Sequence, residues 1–531
     1  MHKFTKATTF AMFALLSLGA VGCAGGNNTN ARGIIDLNFW TGFGAAYSNY
    51  LSKLIDYQYE HNHINIEHTT QSGYENLQKN INATLNTGDY PNMANGYPDH
   101  FAGYAKEDAL LDLSAMITKY DEAHASEPGY VKLLDDYYPE YMKENKELKT
   151  NCIMGVPFNK STELMGYNGV FMDYARDQHP EVKVPETWQD WLVYGPTLRE
   201  VQKSLCGKVL HGKQTAEGTA SDFVVNTNAS GNDVLIDFSS VKENECRLLS
   251  WDSADNMFIT IVRDWGSQYT SYTDEDRKSP LQQGYIEFAN ATNKPKTIEA
   301  MKFFDGLYKQ MIFGLPADFN ASYSSDAFEQ NKVMFMVCST GGLSYNINPG
   351  QRFRCAPIPY YKGMEGGAEV IRKYVISQGT NIGIFDQKSP NKDKYNYEQT
   401  LDIAFNALVD FSAGERQAQW AIDTGYFPAS KSAAETNLYK AFLAEKTYDD
   451  PIRVAYREGS QVNQEEYMKL DHADGVKWDK FVDPGFDGSS KIRQRVAYIM
   501  GNVFSSTVEG DAKYATVLDA AVNDLKKFVR E

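Results

Sequence analysis

The chain is poor in the residues and motifs on which most catalysis depends. Six cysteines and nine histidines are spread through 531 residues, and no two cysteines stand in a C-x-x-C spacing, so the usual framework of a zinc site is missing. There is no G-x-S-x-G, no H-E-x-x-H, no phosphate loop and no G-x-G-x-x-G attached to a strand, which removes the commonest hydrolase, metalloprotease, ATPase and dinucleotide signatures. His61, His63 and His68 fall close together in HNHINIEH, but the first two read as a loop and the third as an outward strand position, so no metal ion or other cofactor is expected. Basic residues are also in short supply. The 52 Lys and Arg against 69 Asp and Glu give 52 − 69 = −17, which argues against nucleic acid or an acidic lipid surface as partner.

Beyond residue 22 no apolar run is long enough to span a bilayer. The one long apolar run, ATTFAMFALLSLGAVG, follows the basic head MHKFTK, and residues 1–22 read as a signal peptide. Cys23 comes directly after Ala20, Val21 and Gly22, which resembles the lipobox of bacterial lipoproteins, with Ala20 where that motif usually has Leu. The resemblance implies lipid attachment at Cys23, and residues 23–33 then serve as a flexible Gly/Asn-rich tether. Removing residues 1–22 takes away Lys3 and Lys6, so the mature chain carries −17 − 2 = −19. Of the remaining cysteines, Cys206 and Cys246 bracket an apparent insertion and are either bridged or buried as free thiols.

With 42% hydrophobic residues and this length, two lobes or more are expected. IIDLNFW and INIEHTT alternate as strands do, while YLSKLIDYQYEHN and YENLQKNINATLNTG have helical spacing, the latter closed by Gly88. Strand alternating with helix predicts an α/β domain. TIEAMKFFDGLYKQMI and YEQTLDIAFNALVDFSAGERQAQWAIDTGYFP continue the helical pattern, the second stopped by Gly425 and Pro428. Residues 206–250 differ in texture, and DFVVNTNASGNDVLIDF predicts a β-hairpin. PFNKSTELMGYN sets Asn159, Lys160, Ser161 and Thr162 on the approach to an apolar strand, where polar groups either turn the backbone or hold something polar in a cleft.

In order along the chain, LNFWTG, YPNMANGYPDHFAGYAKEDALLDLS, GVPFNKSTELMGYNGVFM, VPETWQDWLVYGPTLREV, AFEQNKVMFMVCSTGGLSYN, CAPIPYYKG, SQGTNIGIF and ERQAQWAIDTGYFPASKSA resemble segments of the extracellular solute-binding proteins of ABC importers. The likeness is to the carbohydrate group that includes the maltodextrin and glycerol-3-phosphate binders. It implies a two-lobe, periplasmic-binding-protein-like (type II) α/β fold with a hinge and lobes of discontinuous sequence. Residues 34–155 plus about 352–415 would form one lobe and 156–351 plus about 416–531 the other, with 206–250 as an insertion. The implied activity is capture of a sugar, without catalysis, by a monomer that delivers it to the membrane subunits of an ABC permease.

The resemblance also implies a set of ligand contacts. Asp99 stands where maltodextrin binders place an acid for sugar hydroxyls, with His100 beside it. Ser161, followed by Thr162, matches a ligand-contacting hydroxyl and equally suits a turn cap. Thr340 and Gly341 replace the tryptophans that maltodextrin binders stack on sugar. Gln378 and Gly379 match a strand-end contact and Tyr426 a hinge-side one, while Trp265 and Tyr269 are stacking candidates, a core role for Trp265 remaining open. Three other readings stand beside this one. A glycerol-3-phosphate or glycerophosphodiester binder would need an Arg ahead of KIRQR, and DPGFDGSS has none. A secreted glycosidase would use two of the many acids, and an adhesive surface lipoprotein would use the insertion.

Overall fold

The computed structural model describes residues 35–145, 152–215, 218–273, 283–345, 347, 352–386, 397–446, 450–486 and 488–530. The leader, the tether and Cys23 lie outside the described residues. No described helix is long and apolar enough to cross a membrane.

Ten strands form one sheet: Ile35–Thr41 (β1), Ile64–Thr70 (β2), Met93–Gly96 (β3), Val156–Asn168 (β4), Leu249–Trp251 (β5), Phe313–Gly314 (β6), Phe335–Ser339 (β7), Phe353–Ala356 (β8), Tyr374–Ile384 (β9) and Asp479–Phe481 (β10). The order is β6-β5-β7-β4-β9-β3-β1-β2, with β8 on β4 and β10 on β9. The start follows the sequence pattern. Leu37 and Phe39 are buried on β1, Ile64 and Ile66 on β2, and the two strands pair in parallel across the helix Ala45–Asn62. The long helical pattern after residue 396 is two helices, Tyr397–Ser412 and Gly414–Thr424, because Ala413 is extended and Gly414 has φ +64°.

β4 and β9 tie two hydrophobic cores together. Val156 and Phe158 of β4 and Ile382 and Ile384 of β9 pack with Leu37, Phe39 and Trp420 in one core. Met165 of β4 and Val375 and Ile376 of β9 belong to the other, with Trp188 and Trp251. Between these apolar ends the strands carry Asn159–Glu163 and Ser377–Asn381, of which Asn159–Thr162 and Ser377–Thr380 pair antiparallel up to a register shift between Thr380 and Asn381. The two strands therefore cross from lobe to lobe at their polar middles. The return crossing expected near 352 falls at 377–381, since β8 pairs with Met165–Asn168 and Tyr361 packs on Trp265 at 5.1 Å in the second core. The first core in turn extends past 416, to Trp420 and Tyr426.

The insertion is a three-stranded sheet. Val209–Gln214 takes the middle, with Val209 and Leu210 fully buried, and Ala220–Asn226 and Val234–Asp237 flank it. The arms of the expected hairpin thus pair with this strand and not with each other. At its base Cys206 Sγ and Cys246 Sγ lie 3.5 Å apart as free thiols. Cys206 and the Arg199 guanidinium, 3.1 Å from Cys246 Sγ, lower the Cys246 thiol to about 7, while Cys206 is raised by its neighbour and by burial. Exchange with an added disulfide such as oxidised glutathione, which leaves as two thiols, is expected to join the pair. Closing a loop of this length stabilises by roughly 4 kcal/mol in the chain-entropy model. Thiol titration of the denatured protein should show two fewer thiols after oxidation, and an undiminished count contradicts the bridge.

Candidate functional site

A cavity of about 430 Å³ opens beside the lobe crossing, lined by Glu163 of β4, Ser339 of β7 and Ser377, Gln378 and Gly379 of β9. From the first lobe, the helices Tyr74–Thr84 and Pro98–Lys106 bring Tyr74, Glu75, Asp99 and His100, with Tyr97 just ahead of the second. Pro98 at the first helical position sets that helix start, so Asp99 falls in the first turn at the cavity wall. From the second lobe come Asp252, Asp255 and Asn256 at the start of the helix Ala254–Asp264, Tyr269, Asp483 and Arg493.

Several deeply buried polar atoms on this wall have no hydrogen-bond partner among the described residues: His100 Nδ1, Glu163 Oε2, Tyr269 OH, Ser377 Oγ and Gln378 Oε1. Buried polar groups are normally paired, so such a concentration marks a surface built to bond a polar ligand. Burial lowers the His100 pKa, leaving a neutral imidazole, and raises Asp252 to about 6 and Glu163 to about 8.

Among the described residues, seven carboxyl side chains line the cavity against one guanidinium. That guanidinium, Arg493, is already engaged: Nε pairs with Asp255 Oδ2 at 2.7 Å, Nη1 with Asp483 Oδ2 at 2.8 Å, and Nη2 donates to Asn256 Oδ1. Asp483 also holds Arg263 at 3.1 Å. Among the described residues no cluster of His, Cys, Asp and Glu has the arrangement of a metal site. At the inner edge Glu144 is bonded to Lys160, whose Nζ also donates to Asn381 Oδ1 at 3.1 Å and Gly379 O at 3.4 Å. Burial and the neighbouring Lys480 hold the Lys160 ammonium well below the usual lysine range.

Of the residues singled out in the sequence, Asp99, His100, Tyr269, Gln378 and Gly379 come together on this wall. Ser161, Thr162, Thr340, Gly341, Tyr426 and Trp265 are not part of it. Ser161 is buried in register with Gln378, Thr162 Oγ1 donates to Ile376 O at 2.7 Å, and Thr340 Oγ1 accepts from Thr162 N. Gly341 packs under the Tyr426 ring and accepts from Tyr47 OH. Tyr426 sits one layer behind, where its hydroxyl, the Thr380 hydroxyl and the Asn159 side-chain amide face the Tyr74 hydroxyl. Trp265 is core, 5.0 Å from Phe303 and 5.1 Å from Tyr361. Sequence reasoning missed Glu163, although a lone acid within an apolar strand was a signal. It also missed Arg493, which lies inside KIRQR itself and not ahead of it.

The family profile described as bacterial extracellular solute-binding protein matches residues 55–447. The chain belongs to that family. Solved structures extend the likeness of this solute-binding protein over nearly its whole length. The GacH receptor of Streptomyces glaucescens, solved unliganded and with acarbose, is 13% identical at TM-score 0.59, covering 93% of this chain and 99% of its own. Lmo0181 of Listeria monocytogenes, with cycloalternan, is 14% identical at 0.60 over 92% and 98%. UgpB of Mycobacterium tuberculosis, with glycerophosphocholine, is 15% identical at 0.61 over 93% and 98%. At these identities the likeness establishes the two-lobe fold. No curated protein matches the chain.

Proposed function

We propose that this solute-binding protein captures a sugar or oligosaccharide outside the membrane, in the cavity beside the lobe crossing, and delivers it to the membrane subunits of an ABC permease. The observation that carries this reading is the set of buried, unpartnered polar atoms on the cavity wall together with the Tyr74 and Tyr97 rings that line it. Hydroxyls of a saccharide supply both donors and acceptors to such a wall, and its C–H faces suit aromatic rings. Asp99, His100, Glu163, Tyr269, Ser377, Gln378 and Gly379 are the proposed contacts. Ligand binds one lobe first, and rotation at β4 and β9 then closes the other over it. The protein acts as a monomer without catalysis, held to the membrane by a lipid on Cys23 through residues 23–33.

A second reading, a glycerophosphodiester, is favoured by Arg493, which keeps a third of its side-chain surface exposed. Its charge, however, is already balanced by Asp255 and Asp483, and a phosphate would face the remaining carboxylates. A thermal-shift screen of residues 34–531 against mono-, di- and trisaccharides and glycerophosphocholine separates the two. A saccharide at a hundred times its Kd should stabilise by about 2.7 kcal/mol. Stabilisation by glycerophosphocholine alone overturns the saccharide reading.

A further inference from the structure

Glu163 sits where β4 leaves the crossing, paired in register with Ser339 of β7, and is 1% exposed. Two N–H groups converge on its Oε1, from Trp251 Nε1 at 3.2 Å and Asn256 Nδ2 at 2.8 Å. Its Oε2 has no partner among the described residues, and the residue lines the cavity. Among the described residues no cation is bonded to it. The charged groups that face it are Asp255, which opposes its ionisation, and Arg493, which favours it but is tied to Asp255 and Asp483. A buried carboxyl without a paired cation is more stable neutral than charged. With Oε1 occupied by two donors, the proton belongs on Oε2.

We propose that Glu163 is a specificity-determining contact that binds as a neutral acid, donating its Oε2 hydrogen to a ring, bridging or hydroxyl oxygen of the bound saccharide. This rests on the saccharide reading above. It favours a ligand with an acceptor oxygen at that point and disfavours one with an ammonium group there, whose N–H would meet an O–H. Ionisation removes the donor and leaves a carboxylate facing the ligand's oxygen, so affinity falls as the carboxyl titrates, at about 8. Of the other wall groups with displaced titrations, Asp252 changes state at about 6 and His100 below the ordinary histidine range, while burial raises the Tyr74, Tyr97 and Tyr269 hydroxyls above the ordinary tyrosine range. Lys480, lowered to about 7, lies against the Tyr141 ring and outside the cavity wall.

The test uses the mature chain, its Glu163→Gln and Glu163→Leu variants, and maltotriose and cellotriose as calorimetric probes. For a donor lost with a pKa near 8, wild-type affinity should fall about tenfold between pH 7 and 9. Glu163→Gln, which keeps an N–H donor, should show no such fall, and Glu163→Leu should bind more than about tenfold weaker at pH 7. A flat wild-type profile, or a fall that persists in Glu163→Gln, overturns the proposal. Without ligand, the wild-type-minus-Glu163→Gln infrared difference spectrum should show a protonated-carboxyl stretch at about pH 6 that disappears by about pH 9.5. Absence of that band at the lower pH overturns the proposal as well. If neither trisaccharide binds, the saccharide reading fails, while the infrared spectrum still decides where the proton is.

Discussion

Replacing Gly379 by alanine is expected to disrupt the lobe crossing and abolish ligand binding. Gly379 has φ +93°, a left-handed conformation that costs an L side chain roughly 1–2 kcal/mol by itself. The larger effect is steric. An added Cβ would lie 1.8 Å from Asn159 O, 2.8 Å from Asn159 C and 2.9 Å from Lys160 Cα, all backbone atoms of the partner strand. Backbone cannot rotate aside as a side chain can, so β9 must move off β4 at the point where both pass from one core to the other. A loss of more than about 4 kcal/mol is expected, in the range reserved for disruption of a buried network or backbone. Gly510→Ala is the control, with φ +69° and no atom within 4 Å of the added methyl, and should lose only about 1 kcal/mol. Thermal unfolding of both variants checks this, and equal small losses would show that the crossing is not tightly built.

Lys160→Met should be nearly as damaging, by a different route. The side chain is fully buried, and its Nζ bonds Glu144, Asn381 and the Gly379 carbonyl, joining the cavity edge to both crossing strands. Removing Lys160 leaves Glu144, 3% exposed, without its partner. Breaking a buried pair from one side costs roughly 3–5 kcal/mol, whereas removing both members is close to neutral. The double variant Lys160→Met/Glu144→Gln should therefore recover most of the lost stability. A double variant that is less stable than Lys160→Met would contradict a specific pair.

The parts of this structure that were legible in the sequence are those set by local periodicity. β1 and β2 followed from alternating burial, and the helices between and after them from their apolar stripes. PFNKSTELMGYN was legible as a puzzle: with Val156 it makes a 13-residue strand almost wholly buried yet polar in the middle, which makes sense only when it leaves one core and enters another. The cavity was half legible. Asp99 and His100 sit at a helix start and Gln378 and Gly379 in the middle of β9, segments that family likeness could place. Arg493 and its carboxylates, Asp255 and Asp483, are separated by up to 238 residues, the distance from 255 to 493, and only the closure of the second lobe's chain brings them together. Trp265 failed for the opposite reason. A tryptophan at the end of an apolar helix satisfies core packing and ligand stacking equally, and the fold puts Phe303 and Tyr361 around it.

The central claim is that a saccharide binds on the wall formed by β4, β9 and the helix start at Asp99. Calorimetric titration of residues 34–531 and of its Gln378→Ala variant with an oligosaccharide panel and glycerophosphocholine tests it most directly. The account predicts one-site binding of a saccharide by the wild type, weakened at least about tenfold in the variant by the lost hydrogen bond, and no heat from glycerophosphocholine. Saccharide binding untouched by the variant, or binding of glycerophosphocholine with every saccharide silent, would contradict it.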